Sequence, residues 1–204
     1  MPLVCIDAGH QRKGDNTTEP VAPGSNVYKA RVSHGTTGVA TKKPEYQLTL
    51  EVSLLLQQRL LEAGYPVLMI RETHDVNISN SERAAICNDG HASVALRIHA
   101  DGSELPQAKG ITVLYPGSGA LSQPSKALAA VLLEELLKTT GAKSRGVVPR
   151  DDLAGFNYSQ VPSILLEMGF MTNAEEDRLM STPEYQAQLV AGMVEFVKRA
   201  LPLP

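Results

Sequence analysis

The chain has 204 residues, of which 43% are apolar and 20% charged, with a net charge of −3. That composition suits one globular domain burying about 70% of its unfolded surface and excludes a disordered chain, a collagen-like chain or a disulfide scaffold. No dense Lys/Arg cluster supports a nucleic-acid partner, six Tyr and three Phe without Trp argue against a stacking module, and the longest apolar run, Ala127 to Leu133, falls far short of the roughly 20 residues of a membrane span.

Short apolar runs alternate with amphipathic segments, which predicts an α/β fold: a single domain with a mainly parallel twisted sheet of about six strands flanked by helices. Strands are expected near Leu3–Asp7, Pro66–Arg71, Ser93–His99, Ile111–Tyr115, Gly146–Pro149 and Ser163–Glu167. The first helix is expected over Pro44–Ala63, where Leu48, Val52, Leu55, Leu56 and Leu60 share a face, Pro44 suits the first turn and Gly64 the stop. A second covers Asn80–Asp89, and a third starts after Ser122 and stops at Gly141. The last has Thr182 as its cap, Pro183 at its first position and a stripe of Tyr185, Leu189, Met193 and Phe196. Residues 11–44 form an unusually long connection after the first strand, and loops of that length in a compact domain are commonly functional. Within it, a hairpin of Val27–Val32 with Thr36–Ala40 around Ser33-His34-Gly35 is expected. Cys5 and Cys87 lack metal-type spacing and read as small buried hydrophobes, with one disulfide permitted by their number.

Four residues stand out chemically. His10 follows Asp7-Ala8-Gly9 and His99 follows Leu96-Arg97-Ile98, so each sits at the carboxyl end of a strand, where open α/β sheets bind ligands. Either alone reads first as a hydrogen-bonded structural histidine, but two at equivalent ends favour a site. Glu45, three and seven residues before Leu48 and Val52, faces the sheet and needs a partner there. Glu167 closes the apolar run Ser163–Leu166, where an unpaired charge is costly; the bland alternative is an ion pair with Arg97 or Arg145. Two histidines and a glutamate fit a catalytic zinc set of His10, Glu45 and His99, and Glu167 fits the accompanying general base. Asp7 is a candidate to orient a ligand histidine, with packing or backbone capping as alternatives. His34 is a candidate substrate contact with an exposed loop residue as its plain alternative, and His74 and His91 read as surface residues.

Nearly the whole chain resembles the zinc-dependent N-acetylmuramoyl-L-alanine amidases of the amidase 3 type, the cell-wall amidases and autolysins of bacteria. The resemblance rests on Ile6-Asp7-Ala8-Gly9-His10; Glu45 with Leu48 and Leu50; Gly64-Tyr65-Pro66-Val67 through Arg71 and Asp75; Arg83 with Asn88; Leu96 to Asp101; and Pro162 to Asn173. It implies one catalytic domain over 1–204 with an enlarged 11–44 loop. It also implies zinc held by His10, Glu45 and His99, Glu167 as the catalytic carboxylate, and hydrolysis of the muramoyl–alanine amide of peptidoglycan. A zinc peptidase cutting within the stem peptide and an inactive muropeptide-binding module are the alternatives. Some relatives plug their site with an inserted helix after the second histidine's strand; only nine residues, Gly102 to Gly110, are available here, so an open site is expected. The implied partner is peptidoglycan or a muropeptide met at the cell wall, in the periplasm or outside the cell, by a chain taken to be a monomer. No basic leader precedes the first strand, so a removed leader or another route of release is expected.

Overall fold

A computed structural model describes residues 1–204. In chain order its elements are β1 (Val4–Ala8), β2 (Asp15–Pro20), β3 (Tyr28–Val32), α1 (Glu45–Glu62), β4 (Val67–Met69), α2 (Asn80–Asp89), β5 (Val94–Asp101), β6 (Ile111–Pro116), α3 (Ser122–Thr140), β7 (Ser144–Arg150), α4 (Ala154–Asn157), β8 (Ser163–Phe170), α5 (Ala174–Met180) and α6 (Pro183–Ala200). Six strands form one sheet in the order β4-β1-β5-β8-β6-β7. All neighbours run parallel except β6 and β8, which are antiparallel, with Thr112 opposite Glu167.

The side-chain period of two gives this sheet two unlike faces. On β5, Val94, Leu96, Ile98 and Ala100 enter the main core, and so do Ile164, Leu166 and Met168 of β8. Helices α1, α3 and α6 cover that face and bury Leu56, Leu60, Leu132, Leu136, Leu189 and Phe196 against it. Each such side chain contributes roughly 1.5–3 kcal/mol on leaving water. Helix α6 starts as its sequence dictates: Thr182 accepts the Tyr185 amide at 3.3 Å and Pro183 occupies the first turn. Helix α3 already includes Ser122 and ends at Gly141, whose φ of 65° suits glycine.

The other face carries the intervening residues Asp7, Arg97, His99, Leu165 and Glu167, with α2, α4 and the β2–β3 hairpin beside them. The hairpin corrects one expectation. Tyr28–Val32 is a strand as anticipated, but its partner is Asp15–Pro20 upstream, not Thr36–Ala40 downstream. Glu19 decides this pairing: it is buried and accepts from the Ser81 amide at 3.2 Å and the Ser81 hydroxyl at 2.5 Å, fastening β2 to the start of α2. Residues 33–44 instead form the ladderless bridge from the hairpin to α1, with a single bridge between Thr37 and Pro44. Cys5 and Cys87 are buried among Ile70, Ala92 and Ala95, as expected of small hydrophobes, and form the permitted disulfide between β1 and α2. The short helices α4 and α5 escape the sequence pattern because four and seven residues are too few to show a period.

Candidate metal and catalytic site

His10 lies two residues past β1 in left-handed backbone, φ 60°, a conformation uncommon outside glycine. Two buried arginines hold this turn. Arg83 donates to the carbonyls of Ala8 at 3.0 Å and His10 at 2.9 Å, and Arg71 donates to those of Ala8 at 2.9 Å and Gly9 at 3.0 Å. Gly9 is required by a close approach, since a Cβ there would run into the His99 ring. The His10 Nδ1 lies 2.9 Å from the Ser33 carbonyl; donating to it commits Nδ1 to a proton and leaves Nε2 with its lone pair facing inward.

His99 stands near the end of β5 on the polar face, and Glu45 opens α1. Glu45 is fixed by three backbone contacts: the Thr36 amide donates to Oε2 at 2.8 Å, the Ala100 amide to Oε1 at 3.0 Å, and its own amide donates to the Thr36 carbonyl at 2.9 Å. The donor atoms then converge. His10 Nε2 and His99 Nδ1 lie 3.1 Å apart, and Glu45 Oε1 is 3.1 Å from each. Burial pulls both imidazole pKa values down and Glu45 pulls them up, so that His10 ends raised and His99 lowered. Burial pushes Glu45 up, but the two histidines outweigh it and hold the carboxyl well below the usual range. The set suits zinc, whose tetrahedral ligands at about 2.0–2.1 Å stand roughly 3.3 Å from one another.

Glu167, opposite His99 in the β5–β8 register, lines the same cavity of about 650 Å³ as the three donors. Neither arginine considered as its partner takes that role. Arg97 donates to Asp7 at 2.9 Å and to the Gly155 carbonyl at 3.1 Å, and Arg145 lies over the Phe170 ring at 4.9 Å. Glu167 Oε2 is buried without a hydrogen-bond partner. Burial, with Glu45 and Asp101 nearby, raises its pKa well above the ordinary glutamate range, against a smaller downward pull from Arg150.

Asp7 turns out to serve neither histidine. Its carboxylate accepts from Arg83 at 2.6 Å and Arg97 at 2.9 Å; burial would raise its pKa, but these charges bring it to about 2. His34 lines the cavity, exposed, and its Nδ1 accepts weakly from the Gly14 amide at 3.4 Å. His91 is exposed, whereas His74, anticipated at the surface, is half-buried against the Tyr46 ring. Residues 102–110 form turns and no helix. The functional contacts missed in sequence are the Ser33 carbonyl and the Thr36 amide, because backbone groups carry no residue-type signal; Arg71 and Arg83 were visible only as landmarks without a role.

The family model described as N-acetylmuramoyl-L-alanine amidase matches residues 4–199. The chain belongs to this amidase family. It is 28% identical over 208 residues to the N-acetylmuramoyl-L-alanine amidase Rv3717 of Mycobacterium tuberculosis, covering 96% of this chain and 86% of that protein. Among solved structures it resembles the amidase Ami1 of Mycobacterium smegmatis, at 29% identity and TM-score 0.85 over 97% of both chains. It also resembles Ami1 of Mycobacterium abscessus in its apo form, at 27% identity and TM-score 0.89 over 98% of both. The single α/β domain and its six-stranded sheet are those of the amidase neighbours. No helix of this amidase-family chain is long and apolar enough to cross a membrane.

Proposed function

We propose that the protein is a zinc-dependent N-acetylmuramoyl-L-alanine amidase, one catalytic domain over residues 1–204 that acts on peptidoglycan at the cell wall. The observation that carries the reading is the convergence of His10 Nε2, Glu45 Oε1 and His99 Nδ1 beside an unpaired Glu167 in one cavity, in a chain of the amidase family. His10, Glu45 and His99 would hold zinc, which when bound supplies Lewis-acid polarisation and a lowered pKa for water.

The chain's own groups account for the rest. Ser33 and Arg83 fix the His10 imidazole and backbone, so the donor set is organised before substrate arrives. Glu167 accepts the proton of the attacking water as the carbonyl of the lactyl group of N-acetylmuramic acid is attacked. It then delivers that proton to the alanine nitrogen as the C–N bond breaks, releasing the stem peptide. Its partial burial and acidic neighbours suit it for this shuttle, because they strengthen it as a base. The short 102–110 turn leaves the cavity accessible without displacing a helix.

The test is mass spectrometry of products from purified peptidoglycan treated with zinc-loaded protein, with a chelated control. Free stem peptide beginning with alanine, together with peptide-free muramic acid, is expected, and chelation should abolish both. Cleavage inside the peptide would establish a peptidase in its place, and no cleavage by metal-loaded protein would leave a muropeptide-binding module.

A further inference from the structure

The cavity is charged unevenly. Glu45, Asp101 and Glu167 line it together with the two histidines, and Lys29 of β3, Arg150 of β7 and Asp152 line it as a hydrogen-bonded set whose Arg150 is near enough to Glu167 to pull its pKa down. Between the two groups in the sheet register lie Leu114 and Leu165, paired across β6 and β8 and packed with Phe156 of α4. The groove therefore runs across the polar face from the proposed reacting centre, over an apolar floor, toward a basic group.

Asp152 organises that group. It accepts Arg150 Nε at 2.6 Å and a terminal Arg150 nitrogen at 2.9 Å, and Lys29 Nζ at 2.9 Å; Lys29 also donates to the Asp152 carbonyl at 2.6 Å. Two cations share one carboxylate, so this hydrogen-bonded set carries a net positive charge, which Glu167 and Asp101 partly offset at Arg150. The third cavity-lining cation, Arg97, is spent on Asp7 and the Gly155 carbonyl and is only 4% exposed. By contrast the Lys29 and Arg150 side chains retain 44% and 39% of their exposure. Their geometry is held by Asp152 before any ligand enters, which lowers the entropy cost of meeting an anion. A guanidinium with its Nε edge occupied still presents donors at its remaining nitrogen.

We infer that Lys29 and Arg150 form a specificity subsite that binds a free carboxylate on the peptide side of the scissile amide, so that the protein prefers substrates whose second peptide residue is acidic over the same residue as its amide. This rests on the amidase reading for the direction in which substrate lies: the reacting carbonyl is at Glu167 and the peptide leads over the Leu114 and Leu165 floor. A methyl side chain at the first peptide residue suits that floor, and the next residue's carboxylate then meets the basic group. The contribution is electrostatic and partly solvent-exposed, so it screens with salt.

Two soluble ligands separate the possibilities: muramoyl-L-alanyl-D-glutamate with its γ-carboxyl blocked as the methylamide, which keeps one free α-carboxylate, and the same γ-methylamide with the α-carboxyl converted to the amide, which keeps none. They are compared for affinity by calorimetry with the metal-loaded Glu167→Gln protein and for cleavage with the wild type. The acid is expected to bind about tenfold more tightly at low salt, with the advantage shrinking at high salt. Adding Arg150→Gln or Lys29→Gln should bring the two affinities to within about twofold, and Arg150→Lys should keep part of the preference. Thermal melts of each variant guard against loss of folding. Equal affinities in the parent protein, or a preference that survives both neutral substitutions, would overturn the subsite. If the acid is preferred and Arg150→Gln erases the preference while neither ligand is cleaved, the subsite stands and the amidase reading falls. If both are cleaved and bound alike, the amidase reading stands and the subsite falls.

Discussion

The two faces of the sheet are made by the same strands and obey opposite rules. Under α1, α3 and α6 the face is one continuous apolar cluster, in which Leu96, Ile98, Ile164 and Leu166 are fully buried among other aliphatic, aromatic and methionine side chains. On the reverse, one residue along each strand, stand Asp7, Arg97, His99 and Glu167. The first face makes the domain stable; the second holds charges that would be intolerable without partners, and leaves one of them, Glu167, without one. Stability and chemistry are thus separated by a half-turn of the backbone. They are joined at Asp7, Arg83 and Arg97, where the buried ion network that fills the polar face also holds the turn carrying His10.

That separation can be tested from either side. The largest effect is expected from Glu167→Gln, which should lower turnover by about 10²–10⁴ while bound zinc, read by atomic emission, stays at the wild-type ratio; wild-type turnover would remove Glu167 from the chemistry. Next comes Arg83→Met. It leaves Asp7 with Arg97 as its single ion-pair partner and frees the His10 carbonyl, and should cost about 3–5 kcal/mol in urea unfolding together with a weakened zinc affinity. Leu136→Ala, on the aliphatic side, should cost about 2–5 kcal/mol with zinc affinity unchanged. If the two variants lose metal alike, the faces are not independent. Removing the cross-link with Cys5→Ser and Cys87→Ser together should cost about 2–4 kcal/mol, given a sequence separation of 82 residues.

The smallest effect is one of pH. The Asp7 carboxyl has its folded pKa depressed to about 2, below an unfolded value near ~3.9, so its contribution is complete above about pH 4 and is lost as pH falls through about 2. The size is about 2 kcal/mol, and Asp7→Asn should flatten the acid limb of stability by that amount in urea titrations between pH 5 and 2.

The six strands of the main sheet and the four long helices were legible in the sequence, because each depends on a local period, and the four candidate residues were singled out by a charge or an imidazole out of place beside an apolar run. His10, Glu45, His99 and Glu167 come from four separate segments, and the structure brings all of them to one cavity. What could not be read depends on pairing at a distance. The partner of β3 was misjudged because Asp15–Pro20 is a polar stretch with three exposed residues in its middle, and what fixes it is the Glu19 contact with Ser81, 62 positions away. Asp7 looked like an aid to histidine for the same reason: nothing local announces that Arg83 and Arg97 close on it. The disulfide and the contact from Ser33 to His10 are further examples, spanning 82 and 23 positions.

The link from Ser33 to His10 has a consequence for how chains of this kind can diverge. The hairpin tip between Pro20 and Tyr28, with Val27 60% exposed, can lengthen or shorten without moving the base of β3. The span from Ser33 to Glu45 has no such freedom. Gain or loss of one residue there would pull the carbonyl off His10 or the Thr36 amide off Glu45. Length variation among descendants should therefore gather at the tip and spare the base, so that new substrate preferences can be explored in a loop whose roots remain tied to the chemistry.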